Sequence, residues 1–172
     1  EAVVRSYFER IPDGVYAGHG FLDSDGVVDG RIDFDVELRV EGSSVRIDYS
    51  RAPDQRAGPV NSALPKTVAA TRVAMTMIAG GGEWPNEGHF RPLRVLVPEG
   101  CLLDARRPSP TLLAFVPLEL LVDLVRKALA PAIPNRVTAA DYGRCCVMHA
   151  ATTNVNDGSF AIIADTEGGG DD

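Results

Sequence analysis

The chain has 172 residues, 45% of them apolar and 24% charged, which suits one folded domain with a real core. Seventeen Lys and Arg against 24 Asp and Glu leave a net charge of −7, and the arginines are scattered rather than clustered, so a nucleic-acid partner is set aside. No segment reaches the roughly 18 apolar residues of a membrane span; the longest run, Thr111 to Val125, is broken by Pro117, Glu119 and Asp123.

The N-terminus, EAVVRSYFER, has neither a basic n-region nor an apolar h-region, so no secretory leader is expected. With no initiator Met, the chain reads as starting inside a longer product. Cys101, Cys145 and Cys146 are odd in number and lack CxxC spacing. That argues against a disulfide framework and for a reducing, cytoplasmic setting.

Residues 1–11 place Val3, Val4, Tyr7, Phe8 and Ile11 at helical spacing, and Pro12-Asp13-Gly14 stops the helix. A strand over 14–21 and an acidic loop over 22–30 follow. From Arg31 to Val40, Ile32, Phe34, Val36, Leu38 and Val40 alternate with charged residues, the pattern of a half-buried strand. Glu41-Gly42 turns it, and Val45, Ile47 and Tyr49 mark the return strand of a hairpin.

Pro65 opens a helix with Ala69, Ala70, Val73, Ala74, Met77 and Ile78 on its apolar face, and Gly80-Gly81-Gly82 ends it. Leu93 to Val97 is a short strand. Pro117 opens a second helix with Leu118, Leu121, Val122, Val125 and Leu129 toward the core and an Asp123–Lys127 pair outward. Strands are expected at 145–150 and 159–164. The predicted fold class is α+β: an antiparallel sheet with hairpin 31–50, packed against helices near 65–79 and 117–130. One domain over 1–167 and a flexible Gly/Asp tail over 168–172 are expected.

His19, His89 and His149 show no metal-ligand spacing and read as structural or exposed. Cys145 and Cys146 read as buried strand cysteines. Asp23, Asp25 and Asp29 lack the bidentate Glu of a calcium loop and read as a solvated turn. The glycines at 80–82 lack the Lys-Ser/Thr of a phosphate loop.

Two turn clusters carry the candidate site. GPVNS holds Asn61, and NEGHFRPL holds Asn86, Glu87 and Arg91, whose guanidinium suits a carboxylate in a ligand or in the protein itself. If the two clusters converge they can fix a planar polar ligand, which requires the chain after the first helix to fold back along it. No nucleophile–base pair and no Walker loop occur at a recognisable spacing, so the catalytic residues stay unassigned.

The order IPDGVYAG, DSDG, a hairpin, IDYS-x-APDQ-x-AGPVNS, a helix, NEGHFRPL, VPEGCLLDARRP and VD-x-V-x-x-AL resembles the hydantoinase B/5-oxoprolinase family, which includes a subunit of acetone and acetophenone carboxylases. The resemblance covers residues 11–170 and corresponds to the middle and later part of much longer chains. It implies work beside an A-type subunit that hydrolyses ATP to activate a lactam or enol oxygen. The B-type part then completes ring opening or carboxylation, often with a divalent metal.

The family's NDP…GGTH-like and H-x-x-D-like metal motifs are missing here, so the resemblance gives this chain no metal and no cofactor of its own. ATP and the divalent metal are expected on partner chains or on the missing N-terminal half. Arg51, the apolar Ala114, Leu118 and Leu120, and the RCCVMHA stretch depart from the family's polar positions. Two readings stay open: a segment or split subunit of a hydantoinase B-like enzyme, inactive alone, or a non-catalytic assembly subunit of such a complex.

Overall fold

The alternating residues of 31–40 become an inner strand of a four-stranded sheet. A computed structural model of the chain describes residues 1–79, 85–138, 146–154 and 156–167. Its elements are α1 (Ala2–Phe8), β1 (Gly14–Ser24), β2 (Asp29–Glu41), β3 (Ser44–Asp48), α2 (Leu64–Ala79), α3 (Glu87–Phe90), β4 (Leu93–Leu96), α4 (Phe115–Leu129), β5 (Cys146–Thr153) and β6 (Phe160–Glu167). The chain divides into two units, Glu1–Asp141 and Tyr142–Asp172.

In the first unit the strand order is β1-β2-β3-β4. Ile32, Phe34, Val36, Leu38 and Val40 are buried, Phe34 to 1% exposure, while Asp33, Asp35 and Glu37 keep their side chains in contact with water. The alternation alone sets this register, because a slip by one residue would carry five apolar side chains into water. Gly42, at φ 55°, supplies the left-handed residue of the β2–β3 turn, and its N–H donates to Asp13 Oδ1 at 2.7 Å.

The sheet is mostly antiparallel, with one exception the hairpin pattern does not announce. β4 lies parallel to β3, pairing Val45 with Leu93 and Ile47 with Val95. Parallel neighbours need a crossover, and α2 supplies it.

The two predicted helices cover the sheet in sequence. α4 lies against β1 and β2, with Leu121, Leu124, Val125, Ala128 and Leu129 buried, and α2 packs against α4. Glycine makes the approach possible: a Cβ on Gly20 would meet Leu124 Cδ2 at 2.8 Å and Leu120 Cδ1 at 2.9 Å, and one on Gly18 would strike the Leu124 carbonyl oxygen.

Three expectations need correction. α2 buries Thr67, Thr71, Ala74, Met75, Ile78 and Ala79, whereas Ala69, Val73 and Met77 are exposed. Its core face therefore includes two threonines, whose hydroxyls find acceptors inside. Asp123 pairs with Arg126 at 3.0 Å rather than with Lys127, whose Nζ donates to the His19 carbonyl at 2.9 Å. The third concerns Asp25, which is only 2% exposed, so the acidic loop is not a fully solvated turn.

The second unit contains the antiparallel pair β5–β6, in register from Cys146–Glu167 to Thr153–Phe160. The two strands thus run further than the predicted 145–150 and 159–164. Gly80–Gly82, Cys145 and the 168–172 tail lie outside the described residues, as does the side chain of Cys146.

Candidate functional site

Asn61 sits at the entry to α2 and is fully buried. Its Nδ2 donates to the carbonyls of Arg56, Gly58 and Pro110, each at 2.9 Å, and its Oδ1 accepts from the Arg56 N–H at 2.7 Å. Ser62, also buried, gives its N–H to the Leu102 carbonyl at 2.7 Å and accepts from the Ala105 N–H at 2.9 Å. Further along the helix, Thr67 Oγ1 donates to the Leu103 carbonyl at 2.6 Å, and Thr71 Oγ1 lies 3.0 Å from the buried Tyr49 hydroxyl. Burial pushes the Tyr49 phenol far above its ordinary value.

Asp25 joins the same brace from the β1–β2 connection. Its carboxylate accepts the N–H groups of Val28 at 2.6 Å, Val27 at 2.8 Å and Gly58 at 3.0 Å. These backbone donors, Val28 first, hold it below the usual carboxylate range against the opposing effect of burial. Gly58 is required there, since a Cβ would land on the Asp25 carbonyl oxygen. The GPVNS cluster is thus a buried knot that ties three loops together.

The NEGHFRPL cluster is built on α3. Asn86 caps it, accepting the Gly88 N–H on Oδ1 at 3.0 Å, while His89 Nδ1 accepts the Asn86 N–H at 3.2 Å in a capping box. That contact assigns the His89 proton to Nε2. Glu87 makes a two-point pair with Arg72 of α2, at 3.0 and 3.2 Å, and Arg72 lies 4.5 Å over the Phe90 ring. Arg91 pairs with Glu1 at 3.3 Å. Between α1, α2 and α3 lies an apolar hollow of about 230 Å³, lined by Tyr7, Phe8, Met75, His89 and Phe90 among others.

The NEGHFRPL turn therefore does fold back along α2, but only as far as Arg72. That residue is eight positions from the start of the helix, about 12 Å along its axis. Among the described residues no hydrogen bond or ion pair joins Asn61 to Asn86, Glu87 or Arg91. Both ends of the buried Asn61 side-chain amide are already bonded to backbone within the chain.

One cluster escapes a reading based on spacing along the chain. His19 faces Asp35 across β1 and β2, with Nδ1 3.0 Å from its carboxylate, and Arg31 Nη2 donates to His19 Nε2 at 3.0 Å. Arg31 also donates to Asp33 at 2.7 Å and lies over the Phe21 ring. The signal was cross-strand register, which becomes visible only once the β1–β2 pairing is known. Cys101 is buried, and burial pushes its thiol pKa up, which makes it a poor nucleophile. Among the described residues no three His, Cys, Asp or Glu side chains come together to hold a metal ion, so the donor set they present does not fit one. No described helix is long and apolar enough to cross a membrane.

The chain belongs to the hydantoinase B/oxoprolinase family, whose model matches residues 1–171. It is 28% identical over 99% of its length to a putative B-type D-/L-hydantoinase protein of Pseudomonas sp. (strain NS671), and 30% identical over 80% of its length to the caprolactamase beta chain of Pseudomonas jessenii. It spans 31% and 24% of the length of these two relatives.

Solved structures agree on the fold. The ATP-dependent caprolactamase of Pseudomonas jessenii superposes with a TM-score of 0.79 at 26% identity, over 93% of this chain and 28% of that one. An acetone carboxylase in its nucleotide-free form superposes with a TM-score of 0.81 at 15% identity, over 96% of this chain and 24% of that one.

Proposed function

We propose that this chain is the sheet-bearing portion of a B-type subunit in an ATP-dependent complex that opens a cyclic amide or carboxylates a ketone. On this reading an A-type subunit hydrolyses ATP, the remaining B-type portion carries the metal ligands, and the assembly works in the cytoplasm. The observation that carries it is the family match over residues 1–171, supported by the likeness to the ATP-dependent caprolactamase. Asn86, Glu87 and Arg91, exposed or half-exposed on the α3 turn, are the groups this chain offers to a substrate or to the neighbouring subunit.

One observation favours the second reading, a non-catalytic assembly role. Asn61, Asn86, Glu87 and Arg91 each already have a partner within the chain. A complementation assay separates the two readings. A B-type subunit lacking the stretch equivalent to residues 1–171 is combined with its A-type partner, with and without this chain, and ATP-dependent lactam opening or ketone carboxylation is followed. Turnover restored only with the chain supports the proposal. A fall in kcat with Arg91→Ala while the complex stays assembled favours the substrate wall, and loss of co-elution favours the assembly role. Turnover by the chain alone would falsify the proposal.

A further inference from the structure

The outward face of the sheet carries an arrangement that the bracing of the fold leaves unexplained. Arg39 on β2 stands opposite Arg46 on β3, and Arg46 stands beside Arg94 on β4. Three arginine positions thus lie in one row across neighbouring strands, about 5 Å apart at each step. Arg91, just before β4, borders the same place. The four surround a hollow of about 330 Å³ whose remaining lining includes Ser44 and a single carboxylate, Glu41.

In a chain of net charge −7, each arginine has acidic groups to choose from, yet these four are poorly matched. Arg39 reaches Glu37 and Glu41 only at 3.9 and 4.0 Å, and Arg46 reaches Asp48 at 3.7 Å. Arg91 meets Glu1 at 3.3 Å with 69% of its side chain exposed. Arg94 has no hydrogen-bond or ion-pair partner among the described residues. Like charges opposite one another on adjacent strands destabilise a sheet. Folding alone gives no reason for such a row.

An anion in the hollow would turn that repulsion into attraction. A guanidinium presents a planar fork of N–H donors that fits phosphate oxygens two at a time. Ser44, which already accepts from Arg5 at 3.4 Å, keeps its own hydroxyl proton to donate. We propose that Arg39, Arg46, Arg91 and Arg94 form a binding site for a small phosphate-class oxyanion carrying two or more negative charges. The concave shape and a volume at the low end of the ligand-pocket range favour a small molecule over a flat acidic protein surface. The inference stands on this geometry and does not depend on the proposed reaction.

The test is calorimetric titration of inorganic pyrophosphate into the chain at constant ionic strength set with sodium chloride. Saturable one-to-one binding is expected, accompanied by a rise in Tm. Arg46→Gln and Arg94→Gln should each weaken it by about tenfold or more, the loss of a charge-assisted contact. Arg31→Gln, on the same sheet but committed to Asp33, should leave binding unchanged. In buffer without multivalent anions, Arg46→Gln should also raise Tm, because it relieves repulsion, whereas a purely bracing arginine would lower it. No saturable binding, or equal affinity in both variants, overturns the proposal. So does tighter binding of a poly-glutamate peptide than of pyrophosphate.

Discussion

The two turn clusters at either end of α2 are alike in composition and opposite in fate. GPVNS is sealed: Asn61 and Ser62 are fully buried, and their partners include backbone groups of its own loop and of the distant 102–113 segment. NEGHFRPL is open: Asn86 and Glu87 are exposed, and their partners are a helix end and a surface arginine. Turn residues announce that backbone must be capped or turned, but not whether the result faces water. What seals the first cluster is the arrival of the 102–113 segment over it, an event far away in sequence.

The difference can be broken by substitution, and the core they share sets the scale. Phe34→Ala should cost about 3 to 5 kcal/mol in urea unfolding, the range for truncating a fully buried aromatic. Asn61→Ala should come next, at about 2 to 3 kcal/mol, because it strands the buried Arg56 N–H and removes the donor shared by three carbonyls. A cost below about 0.5 kcal/mol would mean that water enters the knot and that the two clusters are not distinct after all.

The register of β2 and β3 was legible because period-two alternation admits one solution when one face is buried. The face of α2 was misread for a physical reason. Thr67 and Thr71 look polar in sequence, yet they turn inward because Leu103 and Tyr49 offer them partners, and Val73 and Met77 are left outside. The parallel pairing of β4 and the burial of Asp25 likewise depend on contacts between distant segments. At the candidate site the residue types were legible and their commitments were not. Nothing in the string NEGHFRPL shows that Glu87 meets Arg72 or that Arg91 meets Glu1.

Asp25 gives the sealed cluster a pH signature. Its carboxyl is held below the ordinary value by the Val28, Gly58 and Val27 N–H groups, so its stabilisation is present above the unfolded pKa, about 3.9, and is lost as pH falls through the folded value. Asp25→Asn replaces charge-assisted acceptance by neutral acceptance, at a cost of about 1 kcal/mol near neutrality. It should also flatten the decline of stability below pH 4. An unchanged acid limb in the variant, followed by circular dichroism, would show that other carboxylates carry that decline.

The smallest effect belongs to the open cluster, and its smallness is informative. The Arg72–Glu87 pair is well shaped, but its side chains are 34% and 72% exposed, so solvent screens it. Glu87→Gln should therefore shift unfolding by no more than about 0.5 kcal/mol, and added salt should erase even that. A residue that costs so little to change folds the domain equally well either way. If Glu87→Gln nonetheless lowers turnover or subunit capture in the assembled complex, the effect arises at the α3 surface rather than from unfolding. That is the outcome that would make this turn a working face. A stability loss above about 1 kcal/mol would place Glu87 with Asn61, as one more brace.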